Sequence, residues 1–136
     1  MRKYKLVVHT ADIGVVAYGS SLIEAFANAA YGLFSIIADL RKVRVADAQI
    51  VSVKAQDIET LLFNWLNQLI YIFDVEHLLL KEFDITEFTE RRLIASCRGE
   101  KYDPSRHQIK TGVKSATYHM LKVDREKNTV QVILDV

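Results

Sequence analysis

The sequence predicts an α+β fold, a mostly antiparallel sheet with two main helices. Three observations carry this. Two long stretches, 21–38 and 57–73, place apolar residues at helical spacing. The other apolar stretches alternate with a period of two. From residue 75 onward these strand-like stretches follow one another directly, without the crossover helices that a parallel sheet needs.

Residues 3–8 alternate weakly and read as a first strand, and 14–19 as a second. Ser21 and Glu24 have the spacing of a capping box. Leu22, Phe26, Ala29, Ala30, Leu33, Phe34 and Ile37 then mark one face of a helix over about 21–38, whose small residues allow close packing on a sheet. Val43 to Lys54 reads as a strand, with a bulge expected near Ala46-Asp47. Asp57 is a good N-cap for the next helix. Trp65 and Leu66 sit in the middle of that helix's wide apolar face, which makes them core. Strands follow at 78–89, 92–100, 113–123 and 129–134. The only proline breaks the pattern within 102–107, and 124–128 is a charged hairpin turn in which Asn128 can take positive φ.

The 136 residues form a single domain, 1–136, and half of them are hydrophobic, enough to bury a core. A net charge of +1 with both signs interspersed gives no electrostatic argument for a nucleic-acid groove or an anionic membrane. Cys97 is the only cysteine, which excludes an internal disulfide and a thiolate zinc site within one chain, and it is expected to pack as a small hydrophobe. No apolar run approaches the ~18 residues of a spanning helix, and the run after Lys5 is too short for a signal peptide. The expectation is a soluble, cytoplasmic protein in a reducing compartment.

No stringent catalytic motif appears: no phosphate-cradling glycine loop, no nucleophile elbow, no histidine pair at helical spacing. What remains is polar residues stranded at strand ends. His9-Thr10-Ala11-Asp12-Ile13-Gly14 interrupts two apolar runs, and Asp is poor in strand interiors. The segment is either a turn or a device that aims Asp12 at a cation. Asp135 ends the last strand in the same way. Hard cations take oxygen ligands from separate segments, so Asp12, Asp135 and a main-chain or terminal oxygen of Val136 make a candidate set. Two solvated acids are the bland alternative. Lys114, Tyr118 and His119 fall on one expected strand, Lys114 and Tyr118 on one face and His119 on the other. Lys114 must there reach solvent or pair with a carboxylate.

His9-Thr-Ala-Asp-Ile-Gly-Val15, Ala17-Tyr18-Gly19, Glu24-Ala-Phe-Ala-Asn-Ala-Ala30, Asp57-Ile-Glu-Thr-Leu-Leu-Phe-Asn-Trp-Leu-Asn67, Gly99-Glu-Lys-Tyr-Asp103, Arg106-His107, Lys114-Ser-Ala-Thr-Tyr-His119 and Leu134-Asp135-Val136 together resemble the archease family, from end to end and in order. The resemblance implies an α+β fold of strand-helix-strand-strand modules. It implies an activator of the RtcB-type RNA ligase of tRNA splicing, one that promotes guanylylation of the ligase and its multiple turnover without being the catalyst. RNA would be contacted indirectly, through the ligase. A divalent cation, calcium or another divalent metal, would sit at Asp12, Asp135 and Val136. Lys114, with His9, Glu100, Asp103 and His107, would form the functional surface facing the ligase. Two other readings compete: a small enzyme using an Asp-bound metal to activate water, and a homo-oligomeric scaffold with the apolar second helix buried between subunits.

Overall fold

A computed structural model describes residues 2–136. Strands β1 (Tyr4–Val8), β2 (Asp12–Tyr18), β6 (Ser115–Ala116), β7 (Lys122–Asp124) and β8 (Thr129–Asp135) form one antiparallel sheet in the order β1-β2-β8-β6, with β7 also on β8. Strands β3 (Asp47–Lys54), β5 (Arg92–Lys101) and β4 (Leu78–Thr89) form a second, in that order. Helices α1 (Leu22–Ile37) and α2 (Ile58–Tyr71) complete the α+β architecture. No helix among the described residues is long and apolar enough to cross a membrane.

Helix α1 is apolar almost all round because both sheets press on it. Gly32 lies against Val15 and Tyr4 of the larger sheet, where an added Cβ would meet Val15 Cγ1 at 3.1 Å. Phe26 and Phe34 meet Phe88 and Phe83 of the smaller sheet, at centroid distances of 4.9 and 5.8 Å. Ser21 Oγ accepts from the Glu24 N–H at 3.2 Å, while the Glu24 carboxylate reaches one residue further back than a strict capping box, to the Ser20 N–H at 2.9 Å. Asp57 caps α2 by accepting from the Thr60 N–H at 2.8 Å. Trp65 and Leu66 are fully buried. The apolar face of α2 is therefore consumed within the chain, which removes the reading that buries it between subunits. Cys97 is buried as well, and desolvation pushes its thiol up to about 12, so it packs as an inert hydrophobe.

The structure corrects two strands. Val43 to Ala46 stays outside β3, because the Arg44 N–H is held by the Glu100 carboxylate at 2.7 Å and the Ala46 N–H by the Gly99 carbonyl at 2.9 Å. The expected strand 113–123 is two short strands. Ala116 faces Leu134 and Lys122 faces Gln131, so the segment 117–121 stands opposite only Val132 and Ile133. The excess loops out, with Met120 at φ 53°. Tyr118 and Met120 are each 60 % exposed, and Tyr118 stacks on Phe63 of α2 at 4.0 Å. Lys114, Tyr118 and His119 thus share no strand, and the expected face pairing of Lys114 with Tyr118 does not exist.

Candidate functional site

Register builds the site. Asp12 opens β2 directly opposite Asp135 at the end of β8. Ser115 of β6 faces Asp135 from the other side, and the Lys114 N–H donates to the Asp135 carbonyl at 2.8 Å. His9, whose N–H donates to the Asp12 carbonyl at 3.0 Å, closes the β1–β2 turn on the same face. The Val136 N–H reaches the Ala11 carbonyl at 3.4 Å. Opposite residues of an antiparallel ladder project to one side. Asp12, Asp135 and Ser115 therefore form a row across three strands, on the face opposite the one through which Val15 meets Gly32 of α1, and His9, just beyond β1, pairs with Asp12 at its end. Lys114 and Val136 adjoin it.

The Gly19 N–H donates to the Asn128 carbonyl, so the hydrogen-bonded pairs of β2 and β8 are those of odd-numbered β2 residues, and Asp12–Asp135 is a non-hydrogen-bonded pair. Such pairs hold their Cα atoms only ~4.5 Å apart with side chains close. Like charges placed there repel. Neither aspartate has a salt-bridge partner among the described residues. Asp12 Oδ1 is also buried without any hydrogen-bond partner, and it is the buried side-chain oxygen or nitrogen so left among the described residues. Two facing carboxylates, one with an orphaned oxygen, fit a hard cation. Among the described residues no group of three or more His, Cys, Asp and Glu side chains could hold a metal ion, so further oxygens would come from hydroxyls, the main chain, Val136 or a second molecule.

The remaining expected surface residues lie elsewhere. Glu100 and His107 are 7 % and 5 % exposed, on the smaller sheet's side of the molecule. The Asp103 N–H donates to His107 Nδ1 at 2.9 Å, which leaves the ring proton on Nε2 to donate to Glu100 Oε2 at 3.0 Å. Arg106 binds the other Glu100 oxygen. Burial acts on the Glu100 carboxyl as the largest single influence and raises it. The Arg44 N–H, Arg106 and His107 together outweigh it and bring the group down to about 2. Asp103 is held down by the Ser105 hydroxyl, at 2.7 Å, and by the Ser105 N–H. The cluster clamps segment 102–107 against the Arg44 backbone, and among the described residues none of its hydrogen bonds or ion pairs reaches Asp12 or Asp135. Only the alternation break at Pro104 hinted at it; that its acid and histidine are buried has no sequence signal.

Replacing Glu100 by Gln is expected to cost about 1.5–3 kcal/mol, the range for hydrogen bonds to charged groups. The pH dependence follows from the sign of the shift. A carboxyl lowered on folding contributes fully above its unfolded value of 4.5 and loses that contribution as pH falls toward about 2. Urea unfolding at pH 7 and pH 3 should therefore show a wild-type advantage over Glu100→Gln that shrinks in acid; an equal advantage at both would contradict the clamp.

A model of the Archease protein family (MTH1598/TM1083) matches residues 4–136. The chain belongs to the archease family. The Protein archease of Pyrococcus abyssi is 41 % identical over 128 residues, covering 92 % of this chain and 90 % of the relative. That of Sulfurisphaera tokodaii is 38 % identical over 130 residues, covering 94 % and 93 %. The solution structure of Methanobacterium thermoautotrophicum protein 1598 superposes with a TM-score of 0.81 at 31 % identity, covering both chains fully. An archease from Thermotoga maritima, described as a possible chaperone, shares the fold at a TM-score of 0.56 and 20 % identity, covering 100 % of this chain and 98 % of that one. The archease fold thus extends over the whole described chain, and the acidic corner stands at its strand ends.

Proposed function

We propose that this archease activates an RtcB-type RNA ligase, promoting guanylylation of the ligase and its repeated turnover, and that the Asp12–Asp135 corner is the part it presents. The observation that carries the reading is the facing pair of carboxylates with the orphaned Asp12 Oδ1, beside the exposed Lys114, on a family member's fold. Asp12, Asp135 and an oxygen of Val136 would hold a divalent cation, calcium in the first instance. Such an ion supplies positive charge and a template for further oxygen ligands. Asp12 and Asp135 supply fixed anionic oxygens, and the strand pairing holds them without rearrangement. Lys114, exposed and unpaired among the described residues, supplies a flexible cation at the same edge, suited to a carboxylate or phosphate of the ligase complex.

The test is ligase guanylylation with GTP, with and without this protein, and with Asp12→Ala and Lys114→Ala. Stimulation by the wild type, none by either variant and unchanged melting of Lys114→Ala, within about 0.5 kcal/mol, are expected. Full stimulation by both variants would overturn the assignment of the corner. Asp12→Ala has a second readout. Without added divalent ions it should melt no lower than the wild type, because an orphaned oxygen and a like-charge contact vanish together. With calcium, calorimetric titration should show binding to the wild type and none to the variant.

A further inference from the structure

We infer that β1 is a self-pairing edge, and that two copies of this chain associate through it in an antiparallel, two-fold manner. The hydrogen-bond parity of β1 is settled by its ends. The Tyr18 N–H donates to the Lys3 carbonyl at 2.9 Å and the His9 N–H to the Asp12 carbonyl at 3.0 Å. Paired residues are Tyr4 with Ala17 through Val8 with Ile13, so the odd-numbered residues of β1 bond to β2. The N–H and C=O groups of Tyr4, Leu6 and Val8 point the other way, and β1 is the last strand of its sheet. Leu6, Val7 and Val8 are 39, 42 and 70 % exposed; Tyr4, Leu6 and Val8 make one face of this open edge apolar, and the other carries Val7 beside Lys5.

The other long edges are blunted. Strand β4 carries Lys81, Glu82, Asp84 and Glu87 and has two register shifts, at Leu80/Glu82 and Ile85/Glu87. Strand β3 places polar residues at Asp47, Gln49, Ser52 and Lys54, and its Lys54 carbonyl is capped by Asn64 of α2 at 2.8 Å. Strand β1 has no bulge and no proline, and within its bounds Lys5 is the only charged residue.

The edge is also complementary to itself. An antiparallel pairing centred on Leu6 sets Leu6 against Leu6 of a second copy and Tyr4 against Val8. These are the outward-facing residues, so each such pair can exchange both of its hydrogen bonds. Lys5 then faces Val7, and Lys3 faces His9, so no two lysines oppose each other. Tyr4, Leu6 and Val8 of both copies line one side continuously, beside the two α1 helices. A strand offset by one residue would turn every outward group away from its partner. The occupant that fits without further assumption is therefore a second copy of β1.

Sedimentation over a range of concentrations tests this. The wild type should pass from its 15.6 kDa monomer to a dimer as concentration rises. Leu6→Pro removes only an outward N–H and leaves the β2 ladder whole, a place where an edge strand tolerates proline. It should weaken association by roughly ten- to a hundred-fold through the lost central pair. Should that variant fold poorly, Val8→Lys gives the same readout by adding charge to the edge. Hydrogen exchange at the Leu6 and Val8 amides should slow as the dimer forms. A wild type that stays monomeric at millimolar concentration overturns the proposal. So does a dimer that both variants leave intact, or slow exchange at Leu6 and Val8 seen only when the ligase is added, which would assign the edge to a ligase strand.

Discussion

Trp65→Ala is expected to lower the unfolding free energy by about 3–5 kcal/mol, the range for deleting a large aromatic from a close-packed core. Trp65 is completely buried in α2, so no water relieves the cavity. Its indole meets Phe83 edge-on at 6.3 Å, and its Nε1–H donates to the Phe26 carbonyl at 3.0 Å. The substitution removes an α2–α1 tie and an aromatic contact to β4 together with the volume. Urea denaturation measures the loss, and the dependence on urea should keep its slope, since the surface exposed on unfolding hardly changes. A variant that unfolds like the wild type would mean that the indole is not part of the core.

Gly99→Ala is expected to cost about 3 kcal/mol or more, at or beyond the upper end of ordinary overpacking. A Cβ on Gly99 would lie 1.8 Å from the Leu79 carbonyl oxygen and 2.8 Å from Leu80 Cα. Both are backbone atoms, so no side chain can swing aside. Strand β4 would have to part from β5, the middle strand of its sheet, at the point where the register already shifts. The Gly99 carbonyl also anchors the Ala46 N–H at 2.9 Å, so movement there disturbs the entry to β3. Gly112 is the control, because a Cβ there meets nothing within 4 Å. Gly112→Ala should change stability by no more than about 0.5 kcal/mol. Equal thermal melting of the two variants would contradict the packing argument.

What the sequence made legible was what is decided locally. Ser21, Glu24 and Asp57 announce the helix starts because a cap bonds within three or four residues of itself. The apolar face around Trp65 announces the core because helical spacing aligns it. Asp12 and Asp135 stand out because each breaks an apolar strand. Their facing each other does not follow from either segment, since it depends on the register between β2 and β8, and the orphaned Oδ1 appears only once that pairing exists. The break in 113–123 was hidden for the same reason: its residues alternate passably, and the loop at 117–121 is imposed by where β8 offers partners. Glu100 and His107 read as surface groups at a strand end. Their burial depends on the Arg44 N–H, brought in from far along the chain, and on the 102–107 segment folding back to set Arg106 on Glu100. The exposure of Leu6 to Val8 was equally hidden, because an apolar run does not declare that it lies at a sheet's edge.

The placement of β8 between β2 and β6 has a consequence for biosynthesis. The two aspartates of the corner come from strands separated by most of the chain, yet they are immediate neighbours in the sheet. Chains emerge from the ribosome at about 5–20 residues per second, amino end first. Asp12 is therefore exposed for seconds with its hairpin β1–β2 before Asp135 has been made. Pairings of high sequence separation also carry the largest loop-closure cost and form late. The acidic corner then matures as the last strand docks, so a truncated or stalled chain can own a formed α1 and still lack the site.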